Sequence, residues 1–221
     1  MNKKVINPIA DIFKYLAISI LFMFIGFGFG QVFVPESVVY MANILMIFFM
    51  IGLLILAICS KKQIIPSSFS MNFVYIFTFI DGILMYPILK MYIGDLGSGL
   101  VMDILLGTVI LFGILSFIAN KKEAGHFLGM GKTLFTGLIV LLVLTLLSIF
   151  MGGKLFNIAI SLFGIIIFSV YILYDISLIK YEISRGSIVY KNDLSIHVLN
   201  LYLDFINIFL DLLRLVRELK D

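Results

Sequence analysis

The chain has 221 residues, of which 62% are hydrophobic and only 13% are charged. Soluble globular domains carry about 25% charged residues, so this chain cannot cover its apolar surface with polar side chains. The composition excludes a water-soluble globular protein. The net charge of +3 comes without the basic stripe and interleaved aromatic residues of a nucleic-acid-binding surface, so we expect no nucleic-acid partner.

Seven apolar runs are long enough to cross the hydrocarbon core of a bilayer as helices, which takes about 20 residues. In chain order they cover residues 15–34, 38–59, 69–89, 100–119, 133–151, 155–174 and 194–213. The runs lack the alternation of barrel strands, and the links between them are short. The sequence therefore predicts an all-α polytopic membrane protein, with residues 1–221 forming a single seven-helix transmembrane domain in contact with the lipid bilayer.

The distribution of Lys and Arg predicts how the chain is oriented in the membrane. With a cytoplasmic N-terminus, the cytoplasmic segments hold eleven of these residues and the opposite segments hold five. Because cytoplasmic loops are enriched in Lys and Arg, we expect the N-terminus in the cytoplasm. The basic tail after the seventh run opposes this bias, and a seventh helix that turned back would explain it.

Two of the first three runs contain features that affect helix packing. In the first run, Gly26 and Gly30 have the G-x-x-x-G spacing that lets two helices approach closely. In the third run, Gly82 and Pro87 can kink a helix. Asp81 lies near the middle of that run, where exposure to lipid is costly, so we expect it to line an internal cavity or to pair with a polar neighbour.

The seventh run combines apolar residues with an ordered polar stripe. At about 100° per residue, five polar side chains fall within an arc of about 80° over four turns. They are His197, Asn200, Asp204, Asn207 and Asp211. One interpretation is a peripheral amphipathic helix, although such helices usually carry Lys and Arg on the polar face. The other is a central helix with an internal stripe, where a charge costs at least about 2.5–3.5 kcal/mol and normally serves a function.

Asp175 is the candidate partner of Asp204. It follows the sixth run, on the side of the membrane where the seventh run begins, so the two acids can meet if the sixth helix continues toward Lys180. Two adjacent carboxylates cannot both ionise at low cost, so they share a proton or offer oxygen ligands to a cation. We predict a pH-sensor dyad that binds calcium transiently, without a tightly bound cofactor. The candidate pore-lining residues are Asp81, Tyr171, Asn200, Asn207 and Asp211.

The segments that carry these acids resemble the signature of the Bax inhibitor-1 family, also called the transmembrane Bax inhibitor motif family. The similarity is strongest in FSVYILYDISLIK (168–180) and LNLYLDFINIFLDLLR (199–214), and weaker in FVYIFTFIDGILMYPIL (73–89). The resemblance implies six helices around a central seventh helix. It also implies a calcium leak gated by pH through two aspartates, which match Asp175 and Asp204. The bacterial branch is the most similar, which implies a plasma membrane.

The resemblance does not determine which basic residue holds the aspartate pair. Family members are described as holding the aspartate pair with a basic residue near the second helix, and both Lys61 and Lys62 lie at that end of the second run. Asp81 and Asp211 lie outside the family signature.

A pH-sensitive calcium leak channel is the main functional prediction, and two alternatives remain. Some bacterial relatives associate with membrane-bound proteases, so a regulator that binds other membrane proteins is the first. The second is an intramembrane aspartyl protease, which also uses paired transmembrane aspartates. Its GxGD element is missing, because Asp204 lies in YLDF. We therefore expect no enzymatic activity.

Overall fold

The computed structural model describes residues 6–62, 64, 66 and 68–220. Seven long helices account for most of them. They are α1 (Pro8–Phe33), α2 (Ala42–Lys61), α3 (Met71–Leu96), α4 (Ser98–Lys121), α5 (Gly131–Met151), α6 (Lys154–Ser184) and α7 (Ser195–Lys220). A one-turn helix (Glu36–Val39) and two 3-10 segments (Leu128–Met130 and Lys191–Leu194) lie in the links, and the described part of the chain contains no β-strand.

All seven helices are long and apolar enough to cross a membrane, which confirms the predicted all-α polytopic fold. Four of them extend well beyond the predicted runs, because α1 begins seven residues before position 15 and α7 ends seven residues after position 213. α6 continues ten residues past position 174 to Ser184, and α3 continues through Pro87 to Leu96. An apolar run marks only the part of a helix that needs hydrocarbon around it, and the helix itself can continue into the polar interface.

The helices alternate in direction. We call the end of the bundle where α1 begins the near end, and the end where α7 finishes the far end. At the near end, the amide of Phe69 donates a hydrogen bond to Oγ of Ser195 at 3.0 Å. At the far end, Arg217 forms an ion pair with Asp95 at 2.9 Å. The C-terminal helix therefore passes through the whole bundle and does not turn back.

α7 is the centre of the bundle. Residues 195–211 are all buried, so its apolar surface and its polar stripe are both covered. Helices α1, α2, α3, α4 and α6 pack directly against it, while α5 packs against α2 and α6. The central position predicted for the last helix is thus confirmed, and the peripheral amphipathic interpretation is wrong. The outer helices expose large apolar side chains, such as Ile110 and Phe117, as contact with lipid requires.

Glycine residues bring the backbones of α1 and α3 together. A β-carbon on Gly26 would overlap the carbonyl oxygen of Phe79, and one on Gly82 would overlap the carbonyl oxygen of Met23. The packing role predicted for Gly26 is therefore confirmed. At the far end, Gly97 has a φ of +86°, a conformation that favours glycine, and it joins α3 to α4 as a one-residue link.

Candidate functional site

Three charged side chains meet inside the bundle. Lys61 is the last residue of α2, and its Nζ contacts Oδ2 of Asp175 on α6. The same Nζ lies 3.2 Å from Oδ1 and 3.3 Å from Oδ2 of Asp204 on α7. The side chains of Lys61, Asp175 and Asp204 are 5%, 3% and 0% exposed. We call these three residues the buried triad.

The triad depends on where three helices begin and end. Because α6 continues past Tyr174, Asp175 lies within a helix that packs along α7. α7 begins at Ser195, so Asp204 lies nine residues, or about 13 Å at the helical rise, from the near end. The last turn of α2 lies beside Asn200, where Ser60 forms its hydrogen bond, and the long side chain of Lys61 reaches both carboxylates. The sequence placed Asp175 and Asp204 on the same side of the membrane. In the structure the two carboxylates meet, and both contact the ammonium group of Lys61.

Polar side chains surround the triad. The ring centroid of Tyr171, one turn before Asp175, lies 4.4 Å from Nζ of Lys61, so the ring face contacts the cation. The Tyr171 hydroxyl is buried without a hydrogen-bond partner among the described residues. Ser60 donates a hydrogen bond to Oδ1 of Asn200, which connects α2 to α7 next to the triad. These contacts fix the orientation of the end of α2.

The triad has surplus negative charge. When all three groups are ionised, two carboxylates share one ammonium, and the site carries one net negative charge away from solvent. Oδ1 of Asp175 is buried and has no hydrogen-bond partner within the described part of the chain. An unsatisfied buried acceptor costs about 1–3 kcal/mol, and more when it is charged. A proton or a metal cation bound here would each offset the surplus negative charge.

A cavity of about 370 Å³ connects the triad to the near end. Its lining begins at the exposed residues Ser68 and Ser187 and reaches the buried Lys61, Asp175 and Asn200. Asp204 does not line it and lies deeper in the bundle. The cavity therefore gives one carboxylate of the triad a route toward the near-end surface.

Acidic side chains and a histidine line the outer part of this cavity. They include Glu182, Asp193 and His197. Nε2 of His197 lies 3.0 Å from Oε2 of Glu182, which links the beginning of α7 to the last turns of α6. Oδ2 of Asp193 accepts hydrogen bonds from the amides of Val189 and Tyr190 at 3.0 and 2.8 Å. These contacts hold the link between α6 and α7 over the cavity.

A second buried ion pair lies in the far half of α7. Nη2 of Arg214 lies 2.5 Å from Oδ1 of Asp211, one turn earlier, and Nε of Arg214 donates to Oγ of Ser161 at 2.8 Å. Gly164 on α6 lies against the Asp211 carboxylate, where a β-carbon would overlap it. Asp211 thus has its own cation and does not line the near-end cavity.

Asp81 and Asn207, two further predicted pore-lining residues, each form a hydrogen bond inside the bundle. Asp81 on α3 accepts a hydrogen bond of 2.5 Å from the hydroxyl of Tyr202 on α7. Nδ2 of Asn207 donates to the carbonyl of Leu203 at 2.7 Å, while its Oδ1 is buried without a partner in the described residues. Of the five candidates, only Asn200 lies on the lining of the near-end cavity. Of the two outcomes expected for Asp81, the structure shows the paired one.

The donor set around the dyad limits how calcium would bind. Among the described residues, no group of three or more His, Cys, Asp or Glu side chains could hold a metal ion. Asp175 and Asp204 offer two carboxylates, whereas calcium prefers about 6–8 oxygens. In the described conformation Lys61 contacts the same carboxylates. A calcium ion would therefore need Lys61 to move and would need water to complete its ligands.

Sequence reasoning missed several residues of these sites. Arg214 was missed as the partner of Asp211, although the spacing of three residues places the two on one helix face and was a usable signal. Gly164 and Glu182 gave no such signal, because their roles depend on how α6 is rotated against α7.

Comparison with known proteins identifies the family. The family model described as "Inhibitor of apoptosis-promoting Bax1" matches residues 5–221, which is nearly the whole chain. The two segments that carry Asp175 and Asp204 lie within this match.

Several bacterial relatives are similar over much of the chain. An uncharacterised protein of Helicobacter pylori (strain J99) is 34% identical over 142 residues, covering 64% of this chain and 58% of the relative. One from Campylobacter jejuni is 34% identical over 169 residues, covering 76% of this chain and 68% of the relative. A protein of Vibrio cholerae named as an uncharacterised membrane protein is 29% identical over 140 residues, 62% of each chain.

The matched region spans about three fifths of the length of the Helicobacter relative. The family match, by contrast, includes all seven membrane helices and both aspartate segments. It confirms the resemblance found in the sequence, and the chain belongs to the Bax inhibitor-1 family of membrane proteins.

Proposed function

We propose that the protein is a pH-sensitive leak channel for cations, with calcium as the main cargo, in a bacterial plasma membrane. The observation that supports this most is the buried triad, in which two carboxylates from adjacent helices share one lysine below a near-end cavity. Charged side chains inside a membrane bundle are costly and normally mark an ion or proton pathway. A buried ion pair is weak evidence for a stabilising role, because replacing the whole pair by apolar residues of similar size is often neutral or stabilising.

The near end faces the cytoplasm in this proposal. The end of the bundle that holds Lys61, Lys121, Lys180 and Arg185 carries most of the basic residues, as expected of a cytoplasmic side. The cavity then opens to the cytoplasm, and the far end, with Arg217 and Asp95, faces outward.

Protons and calcium compete for the surplus charge of the triad. At high pH the triad carries one net negative charge, which attracts a cation from the cavity. A proton added to either carboxylate neutralises the triad, so the attraction for a cation falls and the aspartates bind each other through a hydrogen bond. We therefore expect leak activity to fall as the pH falls. Asp175 and Asp204 form the pH-sensor dyad and the transient calcium site.

The route beyond the triad follows the polar stripe of α7. Asn207 and Asp211 lie one and two turns farther along the same face, and Tyr171 lies beside the triad. The described conformation is the closed one in this proposal, because Lys61 contacts both dyad carboxylates and Arg214 contacts Asp211. Conduction requires that a cation replace these internal cations in turn and bind weakly enough to leave.

Calcium uptake into liposomes tests the proposal. The purified protein is reconstituted around a calcium indicator, and uptake is followed over a series of pH values. Asp175→Asn and Asp204→Asn remove the surplus charge without a change in size, so both should give low uptake that no longer depends on pH. Asp103→Asn is the matched control, because Asp103 is an exposed acid on α4 outside the triad.

The outcomes separate the channel from its alternative. Asn variants that take up calcium with the wild-type pH profile would contradict the role of the dyad. If liposomes that contain the wild-type protein take up no more calcium than protein-free liposomes, the channel proposal is contradicted. Crosslinking in the native membrane would then test for a stoichiometric membrane-protein partner.

A further inference from the structure

A second concave feature of the molecule lies on its lipid-facing side. α1 and α4 both pack against α7 but leave a groove of about 210 Å³ between them. Its walls come from the first half of α1 and the middle of α4, and its floor is Phe205 of the central helix. The lining consists of Phe13, Leu16, Ala17, Ile20, Val109, Phe112, Gly113 and Phe205.

The groove leads to the central helix. The ring centroids of Phe13 and Phe112 are 6.5 Å apart, and those of Phe112 and Phe205 are 6.0 Å apart, both edge to face. Phe205 is only 1% exposed and follows Asp204 directly in the chain. A molecule in the groove therefore touches the central helix, whereas ordinary boundary lipid touches only the outer helices.

The chemistry of the lining determines what fits. No lining side chain can form a hydrogen bond, so a water molecule in the groove would find no side-chain hydrogen-bond partner. The volume is below the roughly 300–1,000 Å³ of a typical small-molecule pocket, which suits a single hydrocarbon chain. Both wall helices are membrane spans, so the groove meets lipid tails. At the near ends of these helices the exposed residues Lys14 and Lys121 can contact an anionic headgroup.

We propose that this groove is a binding site for one acyl chain of an anionic phospholipid in the near-end leaflet. The chain lies between α1 and α4 against Phe205, and the headgroup lies by Lys14 and Lys121. The site is independent of the proposed calcium leak, because neither its lining nor its headgroup contacts belong to the triad.

The experiment blocks the groove and counts bound lipid. The protein is extracted from vesicles of equal parts phosphatidylglycerol and phosphatidylcholine, and retained lipid is measured by native mass spectrometry. A β-carbon on Gly113 meets no atom within 4 Å, so the side chain of Gly113→Leu starts in open space at the groove. Ala17→Leu is the second blocking variant, on the opposite wall. Gly107→Leu is the matched control, since this site is equally open but outside the lining.

Wild type and Gly107→Leu should each retain one phosphatidylglycerol molecule. Both blocking variants should lower its occupancy at least about tenfold, because the acyl chain loses its contact with the groove. Lys14→Gln with Lys121→Gln should abolish the preference for phosphatidylglycerol over phosphatidylcholine. The proposal is overturned if the blocking variants retain lipid as the wild type does, if Gly107→Leu loses it equally, or if a co-purifying peptide replaces lipid in the spectrum.

Discussion

Gly164 on α6 lies so close to the carboxylate of Asp211 on α7 that a β-carbon at this position would overlap it. The carboxylate cannot easily move away, because Arg214 holds it at 2.5 Å and Ser161 in turn holds Arg214. One glycine thus makes room for a charged pair inside a membrane bundle. This relationship connects the packing of α6 and α7 to the polar stripe.

Replacing Gly164 by alanine should destabilise the protein. The new methyl group must displace Asp211 or push α6 from α7, and overpacking of this kind costs about 1–3 kcal/mol of unfolding free energy. Thermal unfolding in detergent measures the loss. Gly107→Ala, at an open position on α4, should leave the melting temperature unchanged or slightly raised. Equal melting temperatures for Gly164→Ala and wild type would show that the carboxylate moves freely.

The Asp211–Arg214 pair should behave as one unit. Arg214→Met leaves a buried carboxylate without its cation, and breaking a buried pair in this way costs about 3–5 kcal/mol. Adding Asp211→Asn removes the unpaired charge, so the double variant should regain most of the lost stability. Unfolding of the two single variants and the double variant gives the coupling energy. Strictly additive effects would mean that the two side chains do not interact.

Lys61→Met should destabilise the protein in a pH-dependent way. Without the ammonium, Asp175 and Asp204 repel each other, which in mildly alkaline buffer should cost on the order of 3–5 kcal/mol. Acidification protonates one carboxylate and replaces repulsion by a hydrogen bond, so the difference from wild type should shrink as the pH falls. Thermal unfolding across pH checks both statements. Lys62→Met is the control, since Lys62 lies over the ring of Phe135 instead. If the loss of stability in Lys61→Met does not change with pH, Asp175 and Asp204 do not share the Lys61 ammonium.

The sequence predicts the global fold well, because the bilayer imposes strict requirements. Each crossing needs a long apolar run, and charged residues in the last run need an internal position. These rules predicted seven spans and favoured an internal position for the last helix, and the family resemblance implied that this helix is central. They do not predict how far a helix extends past the hydrocarbon, which is why the continuation of α6 to Ser184 was left open although it positions Asp175.

Partners across helices were less predictable. Adjacent residues of a helix point about 100° apart, so the choice between Lys61 and Lys62 depends on the rotation of α2, which its largely apolar sequence does not set. In the structure Lys61 faces α6 and α7, and Lys62 faces α5. The pairing of Asp81 with Tyr202 depends in the same way on how α3 is placed along α7.

Competition between protons and calcium is the central claim, and the calcium concentration for half-maximal uptake measures it most directly. If one proton and one calcium ion compete for the triad, this concentration should rise about tenfold for each pH unit on the acidic side, while the maximal rate stays constant. Asp204→Asn should abolish the rise. A half-maximal concentration that does not change with pH, with only the maximal rate falling, would contradict the account.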